Sequence, residues 1–162
     1  VSSFSKCLAP GYRLGWVAAG RFAGQIQRLK LSSSLATTVP VQIALADYLK
    51  HGAYERHLRQ LRQTLARQQA ALVEAIEQHF PAGTRLACPE GGYFLWLELP
   101  PQVDALALHR EALAHGISLA PGPIFSAKRE FGNCIRLNYG YPDSLQQQEA
   151  IATLGRLISR LG

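Results

Sequence analysis

The run from Tyr54 to His79, YERHLRQLRQTLARQQAALVEAIEQH, shows the organisation of the chain most clearly. Leu58, Leu61, Leu65, Leu72 and Ile76 recur at helical spacing, with Arg, Gln and Glu between them. That spacing predicts one long amphipathic helix. A helix of about 25 residues covers almost 40 Å at roughly 1.5 Å per residue, enough to join two subdomains. Pro81 and Gly83 end it.

Upstream lies VSSFSKCLAPGYRLGWVAAG, residues 1–20, rich in Ser and Gly with only short apolar runs. It reads as strand, irregular loop and strand, with GWVAA as the second strand. A short helix is expected over Arg21 to Lys30. Ser32-Ser33-Ser34 marks a loop or a helix start, and Pro40 suits the first turn of a helix from Val41 to about His51, stopped by Gly52. Downstream, Thr84 to Cys88 and Gly92 to Leu99 (GYFLWLEL) read as strands, the second stopped by Pro100-Pro101. Asp104 can cap a helix through His115, ended by Gly116. Ile117 to Ala120 and Cys134 to Tyr139 are two more strands around the loop PGPIFSAKREFGN, and Asp143 or Ser144 begins a last helix to Leu161. The order β-β-α-β-β-α is that of a compact α+β subdomain. Three parts follow: residues 1–53, a linking helix over 54–80, and an α+β part over 81–162.

Length and composition agree with one domain or two small ones: 162 residues, 48% apolar and 17% charged, enough for a sizeable core and against a disordered chain. Cys7, Cys88 and Cys134 are far apart and odd in number, which excludes a disulfide framework and a CxxC zinc site. They favour a reducing compartment, and a cytoplasmic location is expected. No apolar run approaches the roughly 20 residues that span a bilayer, so no membrane partner is expected. No signal peptide opens the chain, and Val1 begins it with no Met anywhere, so the natural start is expected upstream. The net charge of +6 comes from 17 Lys+Arg against 11 Asp+Glu. Arg56, Arg59, Arg62 and Arg67 lie along the long helix, and the other arginines are scattered; a solvated basic face accounts for this better than nucleic-acid binding by this chain alone. The five histidines lack ligand spacing, so no metal site is expected. Gly11, Gly15 and Gly20 fit neither a dinucleotide fingerprint nor a P-loop.

Three places carry residues suited to chemistry. Ser3-Phe4-Ser5-Lys6 is followed by Arg13 in a Gly-containing loop. Hydroxyls and a guanidinium bind phosphate oxygens, and a lysine beside them can form an imine with an aldehyde. The set therefore suits a phosphorylated carbonyl compound; the bland alternative is an exposed surface lysine. The same residues match S-x-x-K of serine acyl-enzymes, but neither S-D-N nor K-T-G occurs. Arg136, in CIRLN on a predicted strand, needs an anionic partner among apolar neighbours: a substrate carboxylate, an internal acid, or solvent at an edge. Pro121-Gly122-Pro123 with Phe125 and Ser126 is a stiff turn able to wall a pocket, and Gly91-Gly92 permits a tight turn or a close backbone approach.

Taken in order, SFSKCLAPGYRLGW, GGYFLWLELP, ISLAPGPIFS and IRLNY resemble the fold-type I aminotransferases that use pyridoxal 5′-phosphate. The wording is most similar to the aminotransferase-like half of MocR-type regulators in the GntR superfamily, and less so to free 2-aminoadipate-type aminotransferases. The resemblance runs over essentially the whole chain. It implies an α/β fold: the end of the large domain in residues 1–53, the linking helix, and the α+β small domain in residues 81–162. It also implies that Lys6 holds pyridoxal 5′-phosphate as an internal aldimine and that Ser3, Ser5 and Arg13 hold its phosphate. Arg136 would take the α-carboxylate of an amino acid ligand, with Gly92 and Phe125 beside the site. In the family, the acid that pairs with the pyridine nitrogen, the stacking aromatic and a further phosphate loop all precede this lysine. The chain thus reads as the C-terminal part of a longer protein and is expected to transaminate very slowly, if at all, by itself. The implied whole is a homodimeric regulator that binds DNA through an N-terminal winged helix-turn-helix domain and responds to an amino acid or amine. A true aminotransferase is the alternative, and an interaction module over 81–162 a third.

Overall fold

The computed structural model describes residues 1–141 and 145–162. It falls into two compact units, Val1–Leu61 and Arg62–Gly162, and the division lies within the long helix.

In the first unit, β1 (Ser2–Ser3) pairs antiparallel with β2 (Gly15–Trp16). The second strand is shorter than GWVAA suggests. Gly15 is required at this pairing: a Cβ there would lie 2.7 Å from the Ser2 carbonyl oxygen. The helix expected over Arg21 to Lys30 is α1 (Ala23–Ser34) and runs further, through the three serines. Their hydroxyls bond back to the carbonyls of Leu29 and Lys30, at 2.9 Å for Ser32, which lets serine finish a helix rather than break it. Next is α2 (Val39–Lys50), with Pro40 in its first turn; Gly52, at φ +67°, follows. The long helix is α3 (Ala53–His79), close to the span read from the leucine spacing.

The second unit is a four-stranded antiparallel sheet carrying two further helices. Its strands are β3 (Arg85–Ala87), β4 (Phe94–Glu98), β5 (Ala120–Pro121) and β6 (Cys134–Asn138), in the order β3-β4-β6-β5. The helices are α4 (Ala105–Ala114) and α5 (Leu145–Leu161), packed on each other. Asp104 caps α4, its carboxylate accepting from the backbone N–H of Leu106 at 2.8 Å. The start of the last helix expected at Asp143 or Ser144 lies outside the described residues. The strand expected over Ile117 to Ala120 reduces to Ala120–Pro121. Ile117 instead closes the end of α4, its N–H donating to the Ala112 carbonyl. Pro121 is tolerated because β5 is an edge strand.

Alternation along β4 and β6 sorts the two faces of this sheet. Leu95, Leu97, Ile135 and Leu137 point into a core completed by Leu108 of α4 and Leu154 and Ile158 of α5. The last turns of α3 add Leu72 and Ile76. The other face carries Phe94, Trp96 and Glu98 on β4, and Cys134, Arg136 and Asn138 on β6.

Candidate functional site

The first group of candidates sits at the turn after β1. The Phe4 N–H donates to Leu14, while Leu8 and Ala9 both donate to the Phe4 carbonyl. This folds Ser3–Ala9 into a tight loop. Phe4 is buried and packs edge-on against Tyr54 of α3, ring centroids 6.0 Å apart. The His57 ring nitrogen lies 2.8 Å from the Cys7 carbonyl oxygen, and the Cys7 sulfur lies 3.2 Å from the Tyr54 hydroxyl. The loop that carries Lys6 is thus tied to the start of α3 through Phe4, Cys7, Tyr54 and His57.

Within the loop, the Ser5 N–H donates to Ser3 Oγ at 3.1 Å, and an Arg13 guanidinium nitrogen donates to Ser5 Oγ at 3.5 Å. Arg13 is held at φ +48°, ψ +38°, left-handed backbone that an arginine seldom adopts, and its side chain also reaches the Pro10 carbonyl. Ser3, Ser5 and Arg13 therefore form one connected set beside Lys6. Lys6 and Arg13 are exposed, and Ser5 is half-buried. The donor set fits pyridoxal 5′-phosphate: two hydroxyls and a guanidinium suit a phosphate monoester, and a primary amine suits an aldehyde.

The second group lies on the sheet of the other unit. Arg136 is on β6, an interior strand between β4 and β5, so the edge alternative is excluded. Among the described residues no carboxylate lies within ion-pair distance of it. Aromatic rings contact it instead: its guanidinium carbon is 4.2 Å from the Phe94 ring centre and 4.4 Å from that of Phe125. Phe125 comes from the turn Gly122–Phe125, where Pro121-Gly122-Pro123 was expected to form a wall. Trp96, the cross-strand partner of Arg136, backs that turn with edge contacts to Phe125 and Phe131 at 5.7 and 5.5 Å. Arg136 and Phe94 line a cleft of about 460 Å³ with Ser118, Ala120, Asn138 and Tyr141.

Gly92 takes φ +105°, which only glycine adopts freely, just before β4. With Glu90, Gly91 and Tyr139 it borders a small hollow of about 100 Å³ against α3, separate from the Arg136 cleft. Tyr139 is buried, and its hydroxyl has no hydrogen-bond partner among the described residues. Burial pushes its phenol upward. The Cys134 thiol is also pushed upward, first by burial and then by the Glu98 carboxylate.

Sequence reasoning missed Phe94, although the alternation of GYFLWLEL places it on the face of Trp96. It also missed Tyr54 and His57, which meet Cys7 from 47 and 50 residues away with no local signal.

The family described as Aminotransferase class I and II matches residues 1–154. The chain is 46% identical to the helix-turn-helix-type transcriptional regulator YdcR of Escherichia coli K12, over 97% of this chain and 34% of the relative. Among solved structures, the multiple substrate aminotransferase of Thermococcus profundus superposes with a TM-score of 0.89 at 31% identity, covering 98% of this chain and 40% of that one. LysN, the α-aminoadipate aminotransferase of Thermus thermophilus, solved with N-(5′-phosphopyridoxyl)-L-leucine, gives 0.85 at 32%, covering 98% and 41%. The chain spans about a third of the length of the curated relatives it matches. Its fold is that of the C-terminal portion of a fold-type I aminotransferase. The chain belongs to the class I and II aminotransferase family.

Proposed function

We propose that this chain is the cofactor-binding effector domain, or most of its C-terminal part, of a MocR-type transcriptional regulator. The observation that carries the reading is the hydrogen-bonded set Ser3–Ser5–Arg13 beside Lys6. Its likeness to a helix-turn-helix-type regulator supports the regulatory half of the reading.

Bound pyridoxal 5′-phosphate would supply an aldehyde and an electron-withdrawing ring. Lys6 Nζ is the attachment point. The Ser3 and Ser5 hydroxyls would donate to its phosphate oxygens, and the Arg13 guanidinium would offset the phosphate charge. Arg136 holds the α-carboxylate of an amino acid, with Phe125 beside it; Gly92 turns the chain into β4, whose Phe94 flanks Arg136. In the whole protein, occupancy biases the position of a winged helix-turn-helix domain, which requires the ligand to bind the two arrangements with different affinity. A homodimer in the cytoplasm belongs to the same reading. Exposed apolar side chains on α1 and α2, among them Leu29, Leu31, Val39 and Ile43, are consistent with a surface that another chain covers.

The test is operator binding by the full-length protein with and without pyridoxal 5′-phosphate. A changed affinity supports the regulator, and an unchanged one sinks it. The likeness to LysN favours a second reading, a free aminotransferase of the 2-aminoadipate type, in which Lys6 also moves the α-proton. Turnover of amino acid and 2-oxo acid without any DNA affinity would favour that reading.

A further inference from the structure

We propose that Phe94 and Phe125 are positioning residues for Arg136, holding its guanidinium ready for a ligand carboxylate without neutralising it. This rests on Arg136 being the carboxylate-binding residue.

A half-buried arginine is commonly held by an acid. Here no acid among the described residues pairs with Arg136, and none of its guanidinium N–H groups is engaged by another described side chain. What holds it is uncharged: two rings with centres 4.2 and 4.4 Å from the guanidinium carbon. A carboxylate clamp would compete with the ligand for the same donors. Aromatic rings do not, since they attract the cation through their quadrupole and accept no strong hydrogen bond. The charge and the N–H groups stay available, while the side chain loses much of its freedom before the ligand arrives. Planar, bidentate pairing then suits a carboxylate.

Both rings are themselves fixed. Phe94 stands on β4 two residues from Trp96, on the same face, diagonal to Arg136 across the strand pair. Phe125 is carried by a turn that pivots on Gly122, where a Cβ would collide with the backbone oxygen of Phe131 and lie 2.9 Å from that of Cys134. Trp96 then braces Phe125 edge-on, with the ring planes at 68°. One ring is rigid because of the sheet, the other because of a glycine and a tryptophan.

The experiment is proton–nitrogen NMR of the Arg136 Nε–Hε group in the whole 162-residue chain, titrated with sodium acetate. In the wild type the Hε signal should be shifted by the ring currents, and acetate should move it saturably. Phe94→Leu should lose part of the ring-current shift and weaken acetate by about threefold to tenfold. Phe94→Tyr should restore both. Phe125→Leu, on a half-exposed turn, is the second variant should Phe94→Leu fail to fold. Equal acetate affinity in wild type and in both leucine variants overturns the proposal and leaves the reading of Arg136 standing. An Arg136 signal that acetate does not move overturns that reading, and the proposal with it.

Discussion

Arg136→Lys keeps the charge at the carboxylate site but loses the planar pair of donors and the stacking surface. Lysine is a compact point charge, so the exchange is not conservative here. In the full-length protein loaded with pyridoxal 5′-phosphate, the variant should bind L-leucine about tenfold or more weakly, while L-leucinamide, which has no carboxylate, changes little. Equal losses for the two ligands would remove the carboxylate role. Gly122→Ala tests the brace behind Phe125. The added methyl meets backbone at Phe131 and Cys134, which cannot swing aside. Overpacking of this kind costs about 1–3 kcal/mol, to be read from urea unfolding. At this scale the sequence marked Lys6, Arg13 and Arg136 by residue type and spacing. It could not mark Phe94 as a companion of Arg136, because a ring reaching an arginine on another strand is set by register, and register is invisible in one strand.

Among the elements, α4 was almost fully legible. Asp104 is a cap acceptor, and Gly116, at φ +72°, is a helix stop. Asp104→Ala should cost about 1 kcal/mol, and Asp104→Ser much less. Leu154→Ala, deep between α5 and the sheet, should cost about 2–5 kcal/mol in the same assay. A loss below about 1 kcal/mol there would contradict the placement of α5 on this core. The long helix was legible because its leucines keep helical spacing along most of its length. Ser32–Ser34 and Ile117 were not. Serine hydroxyls can cap a helix start or bond back to a helix end, and only the carbonyls of Leu29 and Lys30 decide which. Ile117 is apolar enough for a strand, but its N–H is taken by the end of α4.

For the whole molecule, two buried acids bear on stability at alkaline pH. Cys134 and Tyr139 hold their protons above the ordinary thiol and phenol ranges, chiefly through burial. The unfolded chain loses these protons first, from about pH 8.5 for a thiol and pH 10 for a phenol. The stabilising difference is therefore complete below about pH 8.5 and disappears as pH rises through the raised folded-state values. Thermal melts from about pH 7 to about pH 10.5 should show falling stability at the alkaline end, and Cys134→Ala should flatten the first part of the fall. A level profile would contradict burial of both groups.

In the reading proposed above, Lys6 is the attachment point for pyridoxal 5′-phosphate, selected by the Ser3–Ser5–Arg13 set beside it. The chain has four lysines, Lys6, Lys30, Lys50 and Lys128, which makes the choice measurable. The most direct measurement is brief treatment with pyridoxal 5′-phosphate, borohydride reduction, and peptide mapping of the label, repeated with Arg13→Ala. Label should concentrate on Lys6 in the wild type and weaken there in Arg13→Ala. Label spread evenly over the lysines, or unaffected by the loss of Arg13, would contradict it.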